Sequence, residues 1–140
     1  MVSESVIRKR LERLEESLKR LRSKQKVSME EFVKNWEIQD IVLREFEVAI
    51  EACVDIASHI ISEKGWKPPE KYADIPEILA EKGVIPKEYG KLFKRIISFR
   101  NIIVHEYLYI DFKKVYENLQ KIDELGKFAL YIENFLEREQ

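Results

Sequence analysis

The chain predicts an all-α fold, an antiparallel bundle of four long helices plus one short helix, and three observations carry that prediction. Apolar residues recur every three or four positions through almost all of its length, which is the period of a helix with one buried face. The punctuating residues are scarce, with four glycines and four prolines in 140 residues, and a sheet protein of this size needs more turns. Hydrophobic residues make up 45% and charged residues 36%, the balance expected of long amphipathic helices. The length suits one domain over residues 1–140.

Each element follows from the same logic. Ile7, Leu11, Leu14, Leu18 and Leu21 alternate at spacings of four and three, giving a helix over 4–23 with a single narrow apolar stripe. That stripe fits either its own bundle or a second chain. Ser28-Met29-Glu30-Glu31 has the spacing of a capping box and predicts the start of a long helix. Its apolar positions, from Phe32, Val33, Trp36, Ile41, Val42 and Phe46 to Ala57, Ile60 and Ile61, are dense enough to meet neighbours on several sides, so this is the expected central helix. Gly65 supplies a left-handed stop, and Trp66-Lys67-Pro68-Pro69 does not continue a helix. Asp74-Ile75-Pro76-Glu77 reads as a cap and first turn of a short helix ended by Gly83. Pro86 opens the next helix, with Tyr89, Leu92, Phe93, Ile96, Ile97, Ile102 and Ile103 on its buried face. Asp111 caps a last helix lined by Val115, Leu119, Ile122, Ala129, Ile132 and Leu136.

Composition also excludes several functions. The single cysteine, Cys53, rules out an internal disulfide and falls where a small buried residue is ordinary. No apolar run approaches the ~20 residues of a membrane span, and the N-terminus does not read as a secretion signal, so a cytoplasmic protein is expected. The only histidines are His59 and His105, and no Cys-x-x-Cys or His-Glu-x-x-His spacing occurs, so neither metal nor cofactor is expected. Glycine-rich phosphate loops and nucleophile elbows are absent as well. His59, among Ala57, Ile60 and Ile61, reads as a structural histidine.

The net charge of −1 hides an asymmetry, because residues 1–26 carry nine Lys or Arg against four Glu. Residues 86–100 add Lys87, Lys91, Lys94, Arg95 and Arg100 against Glu88 alone. That places positive potential, suited to an anionic ligand or to a solvated helix face, beside the one polar interruption in the chain.

That interruption is Phe99-Arg100-Asn101-Ile102-Ile103-Val104-His105-Glu106-Tyr107. It supplies a fixed cation, an amide, a proton carrier for neutral pH and a phenol. On an ideal helix Asn101 and His105 lie one turn apart on one face, and Arg100 and Tyr107 nearly superimpose on an adjacent one. Arg100 and His105 point about 140° apart unless the helix ends or distorts near Val104.

The string resembles the signature of the HEPN superfamily, Arg, a polar residue, three more and then His; its Tyr two residues on looks like the HepT-like toxin branch. The segments Ile56-Ala57-Ser58-His59-Ile60-Ile61, Gly65-Trp66-Lys67-Pro68-Pro69 and Leu79-Ala80-Glu81-Lys82-Gly83-Val84-Ile85-Pro86 are similar to the family's as well, so residues 28–137 are covered. The resemblance implies a HEPN-like fold and a metal-independent endoribonuclease that acts as the toxin of a two-component system. Its partner is implied to be a minimal nucleotidyltransferase antitoxin. Attack of a ribose 2′-OH on the adjacent phosphate needs a base, an acid and a cation. His105 suits base or acid, Arg100 suits the phosphate clamp, and Asn101 would orient His105 or a phosphate oxygen. One chain offers one suitable histidine, so a homodimer with a composite site is expected, in agreement with the family. By the same resemblance Tyr107 would contact the RNA substrate and receive AMP from the antitoxin, placing negative charge beside Arg100. The alternative is a non-catalytic subunit that presents a nucleotide or substrate to a nucleotidyltransferase.

Overall fold

The computed structural model describes residues 3–105 and 109–140, with 102–105 described in backbone only. Among these residues there are helices and no strands: α1 Glu4–Arg22, α2 Met29–Lys34, α3 Trp36–Glu63, α4 Asp74–Glu81, α5 Lys87–His105, α6 Phe112–Gln120 and α7 Ile122–Arg138. The four long helices are α1, α3, α5 and α7, and the short α4 stands where the sequence places it.

Helix α3 is central. Its residues Val42, Ala49, Ile50, Cys53, Ile56, Ala57 and Ile60 are fully buried, and α1, α2, α4, α5 and α6 all pack on it. The α1 stripe docks inside this bundle, with Ile7, Leu14, Leu18 and Leu21 fully buried against α3 and α7. Arg8 of α1 donates to both carboxylate oxygens of Glu133 on α7, at 2.7 and 2.6 Å. Both side chains are over two-fifths exposed, so the apolar stripe, rather than this pair, holds the seam.

Two helices expected to be continuous are broken. The helix starting at the Ser28 cap, whose hydroxyl accepts from the Glu31 N–H at 3.1 Å, stops at Lys34 and restarts at Trp36. Asn35 adopts an extended backbone (φ −108°, ψ 96°), and its Oδ1 caps the new helix by accepting from the Ile38 N–H at 3.1 Å. Gln39 Nε2 donates to the Phe32 carbonyl at 2.9 Å, so the ending helix is satisfied as well. A short amide side chain that competes with the backbone for hydrogen bonds makes this break possible without glycine or proline. The break also rephases the helix, leaving Trp36 and Ile41, expected in the apolar row, 67% and 43% exposed.

The break lets α2 swing onto α6, where the Phe32 ring meets Phe112 and Tyr116 at centroid distances of 6.3 and 5.6 Å. The last helix is likewise divided at Lys121 into α6 and α7. Gln25 and Gln120 fasten the end of α6, donating to the Leu119 and Gln25 carbonyls at 3.0 and 2.9 Å. Asp111 caps α6 as expected, accepting from the Lys113 and Lys114 N–H groups.

Gly65 and Gly83 end their helices in the left-handed region, at φ 68° and 76°. Asp74 departs from its expected role. It is the first residue of α4, and its Oδ2 reaches backwards to accept from the Glu70 and Lys71 N–H groups at 3.0 and 3.2 Å, closing a turn. Helices α4 and α5 then approach closely at Gly90, where a Cβ would stand 3.2 Å from the Ala80 Cβ.

Two outcomes follow for the scaffold. Replacing Asn35 by Ala removes the α3 cap and should cost about 1 kcal/mol in urea denaturation, with the helical spectrum retained. Burial raises the Cys53 thiol well above its ordinary range, so alkylation at pH 8 should be more than ~100-fold slower in the native protein than in urea.

Candidate active site

Arg100, Asn101 and His105 all lie on the last turns of α5. That end of the helix is fixed by Phe99, 8% exposed, whose ring meets the Phe46 ring of α3 edge-on at a centroid distance of 5.2 Å. Deeper along α5, Phe93 stacks on Phe128 of α7 at 4.7 Å, and the Tyr89 hydroxyl donates to the Glu124 carbonyl at 2.9 Å. Aromatic packing thus sets both the rotation and the height of the site-bearing helix.

With Phe99 turned into the core, the neighbouring Arg100 points along α3 and pairs through Nε with Glu51 Oε1. The Arg100 and Glu51 side chains are 16% and 33% exposed, so water screens their attraction less than it would on the surface. The guanidinium also lies over the Tyr72 ring, 4.6 Å from its centroid. Tyr72 belongs to the α3–α4 connection and is held there by the turn that Asp74 closes; the Tyr72 carbonyl accepts from the Ile75 N–H at 3.1 Å.

Asn101 is exposed. Helix α5 stays helical through His105, so the backbone positions of Arg100 and His105 remain about 140° apart around the axis, with no helix end before His105. The His105 side chain and all of Tyr107 lie outside the described residues. His59 sits on α3, its Nε2 3.6 Å from Glu63 Oε1 one turn away. Among the described residues no group of three or more His, Cys, Asp or Glu is placed to hold a metal ion.

The basic surroundings read from the sequence are present. Lys87, Lys91, Lys94 and Arg95 are exposed along α5, and Lys94 lies 3.4 Å from Glu77 of α4. A cleft between α5 and α6 is charge-balanced, with Arg95 and Lys114 facing it alongside Asp111 and Glu117. A second cleft, between α1 and α3, brings Arg10, Arg13 and Arg44 to the same wall as Glu47, Glu51 and Asp55.

Glu51 and Tyr72 are the residues that the sequence reading passed over. Glu51 stands between Ile50 and Ala52, which are 0% and 5% exposed, in the densest apolar part of the chain. A lone carboxylate at a half-buried register position was its one available signal. Tyr72 lies in a proline-rich connection and offered none.

Comparison with known proteins agrees with this architecture. The chain is 31% identical to an mRNA nuclease HepT of Shewanella oneidensis over 77 residues, covering 55% of this chain and 58% of that protein, less than two thirds of its length. Among solved structures, a tri-AMPylated Shewanella oneidensis HEPN toxin in complex with MNT antitoxin superposes with a TM-score of 0.85 at 23% identity, over 94% of this chain and 99% of that one. YutE of Bacillus subtilis, described as a cytosolic protein of unknown function, superposes with a TM-score of 0.84 at 24% identity, over 99% of this chain and 93% of its own. At these identities the structural likeness establishes the fold. Residues 14–132 match the family described as Ribonuclease HepT-like, so most of the chain is covered and it belongs to the ribonuclease HepT-like family.

Proposed function

We propose that this chain is a metal-independent endoribonuclease, the toxin of a toxin-antitoxin pair, with Arg100 and His105 as its catalytic residues. The observation that carries the reading is the placement of Arg100: a planar cation, mostly enclosed at the end of α5, on a helix that carries Asn101 and His105 one and five residues further on. Family membership, and a relative described as an mRNA nuclease, support RNA as the substrate.

In the proposed reaction His105 takes the proton from a ribose 2′-OH as the O2′–P bond forms, or donates one to the leaving O5′ as the P–O5′ bond breaks. The product is a 2′,3′-cyclic phosphate. The Arg100 fork holds two phosphate oxygens and stabilises charge on the phosphorane. Asn101 orients the histidine or a phosphate oxygen. Both a base and an acid are required, and Arg100 and His105 diverge around one helix. A homodimer that brings two copies of this helix end together would supply both histidines to a composite site.

The proposed regulator is a minimal nucleotidyltransferase that transfers AMP to Tyr107. Support comes from the superposing HEPN toxin, itself AMPylated and bound to MNT antitoxin. An added phosphate beside Arg100 would occupy the clamp and repel RNA. No described helix is long and apolar enough to cross a membrane, and the Bacillus subtilis neighbour is described as cytosolic, so the proposed setting is the cytoplasm.

Arg100→Ala and His105→Ala should each lower RNA cleavage by at least ~100-fold in a chelator-containing assay, with the dimer and its helical spectrum intact. Unchanged cleavage in either variant overturns the catalytic assignment. After incubation with the nucleotidyltransferase and ATP, intact mass should show AMP adducts on wild-type protein and none on Tyr107→Phe.

A further inference from the structure

We infer that Glu51 and Tyr72 are positioning residues that set the Arg100 guanidinium with its Nε held by the protein and its terminal Nη edge left for phosphate. The inference rests on the ribonuclease reading above and assigns to it two residues from elements other than the motif helix.

The guanidinium carries five N–H groups in a rigid plane. Glu51 engages it through Nε, which fixes the rotation of that plane about the side chain. The Tyr72 ring lies under the guanidinium carbon at 4.6 Å and gives the cation a second contact, from a different element. One N–H from each of Nη1 and Nη2 forms the terminal edge of the plane, and this parallel pair grips two phosphate oxygens. An unrestrained arginine would have to lose its rotamer freedom on meeting RNA; here most of that ordering precedes binding.

The fold builds this cradle from three rigid pieces. Glu51 is carried by α3 between two core residues, Ile50 and Ala52, so its backbone is held by the buried packing of its neighbours. Arg100 is carried by α5 and located by the adjoining Phe99–Phe46 contact on the same α3. Tyr72 is 39% exposed, yet its backbone is pinned by the Asp74 carboxylate, which accepts from the N–H groups of Glu70 and Lys71.

Two other roles for Glu51 predict different results. As a mere structural tie it would affect stability and leave the rate constant alone. As an internal anion occupying the phosphate seat it would inhibit, and its removal would speed cleavage. The engagement of Nε, rather than the Nη edge, favours positioning over competition.

The test compares Glu51→Gln, Glu51→Asp, Tyr72→Leu and Tyr72→Phe in the 140-residue protein on a defined RNA oligonucleotide, separating kcat from KM. Positioning predicts that Glu51→Gln lowers kcat ~10–100-fold with a smaller change in KM. Glu51→Asp should recover part of the loss, and Tyr72→Phe should recover activity relative to Tyr72→Leu. An unchanged or increased kcat in Glu51→Gln overturns the inference, the increase assigning Glu51 as a competitor. Should Glu51→Gln fail to fold, Tyr72→Leu decides, because an exposed ring is removed without opening the core.

Two readouts are independent of cleavage. The Arg100 Nε–H proton should exchange slowly in wild type and rapidly in Glu51→Gln. Binding of a 2′-O-methyl oligouridylate, which lacks the attacking hydroxyl, should weaken ~3-fold in Glu51→Gln, less than the loss in kcat. A wild-type protein that binds this probe without cleaving RNA overturns the ribonuclease reading, while equal probe binding and equal exchange in the two proteins overturn the positioning of Arg100.

Discussion

The burial of α3 is the constraint on which the rest of the molecule depends. A 28-residue helix with apolar groups over most of its circumference is unstable in water until other elements cover it. Helix α1 covers one side, α5 another, and the short α2, α4 and α6 close what remains. Even Glu45 is drawn into this packing, at 7% exposure, where one carboxylate oxygen accepts from Arg20 at 3.2 Å. An acid so placed must find a cation, which ties a basic residue of α1 to the core of the bundle.

The same demand shapes the candidate site. Helix α5 is oriented by the aromatic groups it gives to the core, and Arg100 reaches α3 because Phe99 beside it is committed there. The chemistry at the helix end is therefore a by-product of packing only in its position. Its residue types, a guanidinium with an amide, an imidazole and a phenol close behind, are what no core requires. That contrast made the stretch legible from sequence: residues serving the core follow the helical period, and these four interrupt it.

Legibility failed where the structure uses ordinary residues unusually. The Ser28 and Asp111 caps, the stops at Gly65 and Gly83 and the apolar stripe of α1 were all readable, because each rests on a local rule that one residue type satisfies. The breaks at Asn35 and Lys121 were not. Each depends on partners far away in sequence, Phe112 and Tyr116 for the first and Gln25 for the second, that make two short helices better packed than one long one. Glu51 was hidden for a related reason, since its arginine lies 49 residues away and only the folded chain brings them together. Asp74 was readable as a capping residue, but not the direction in which it would cap.

The close approach at Gly90 carries a mechanical consequence. Where a Cβ would stand only 3.2 Å from that of Ala80, α4 and α5 touch almost backbone to backbone, without flexible side chains between them to act as a cushion. The two helices are thereby held at a fixed spacing, and the segment leading into α4, which carries Tyr72, is tied to the helix that bears Arg100 at two points, the Gly90 contact and the ring beside the guanidinium.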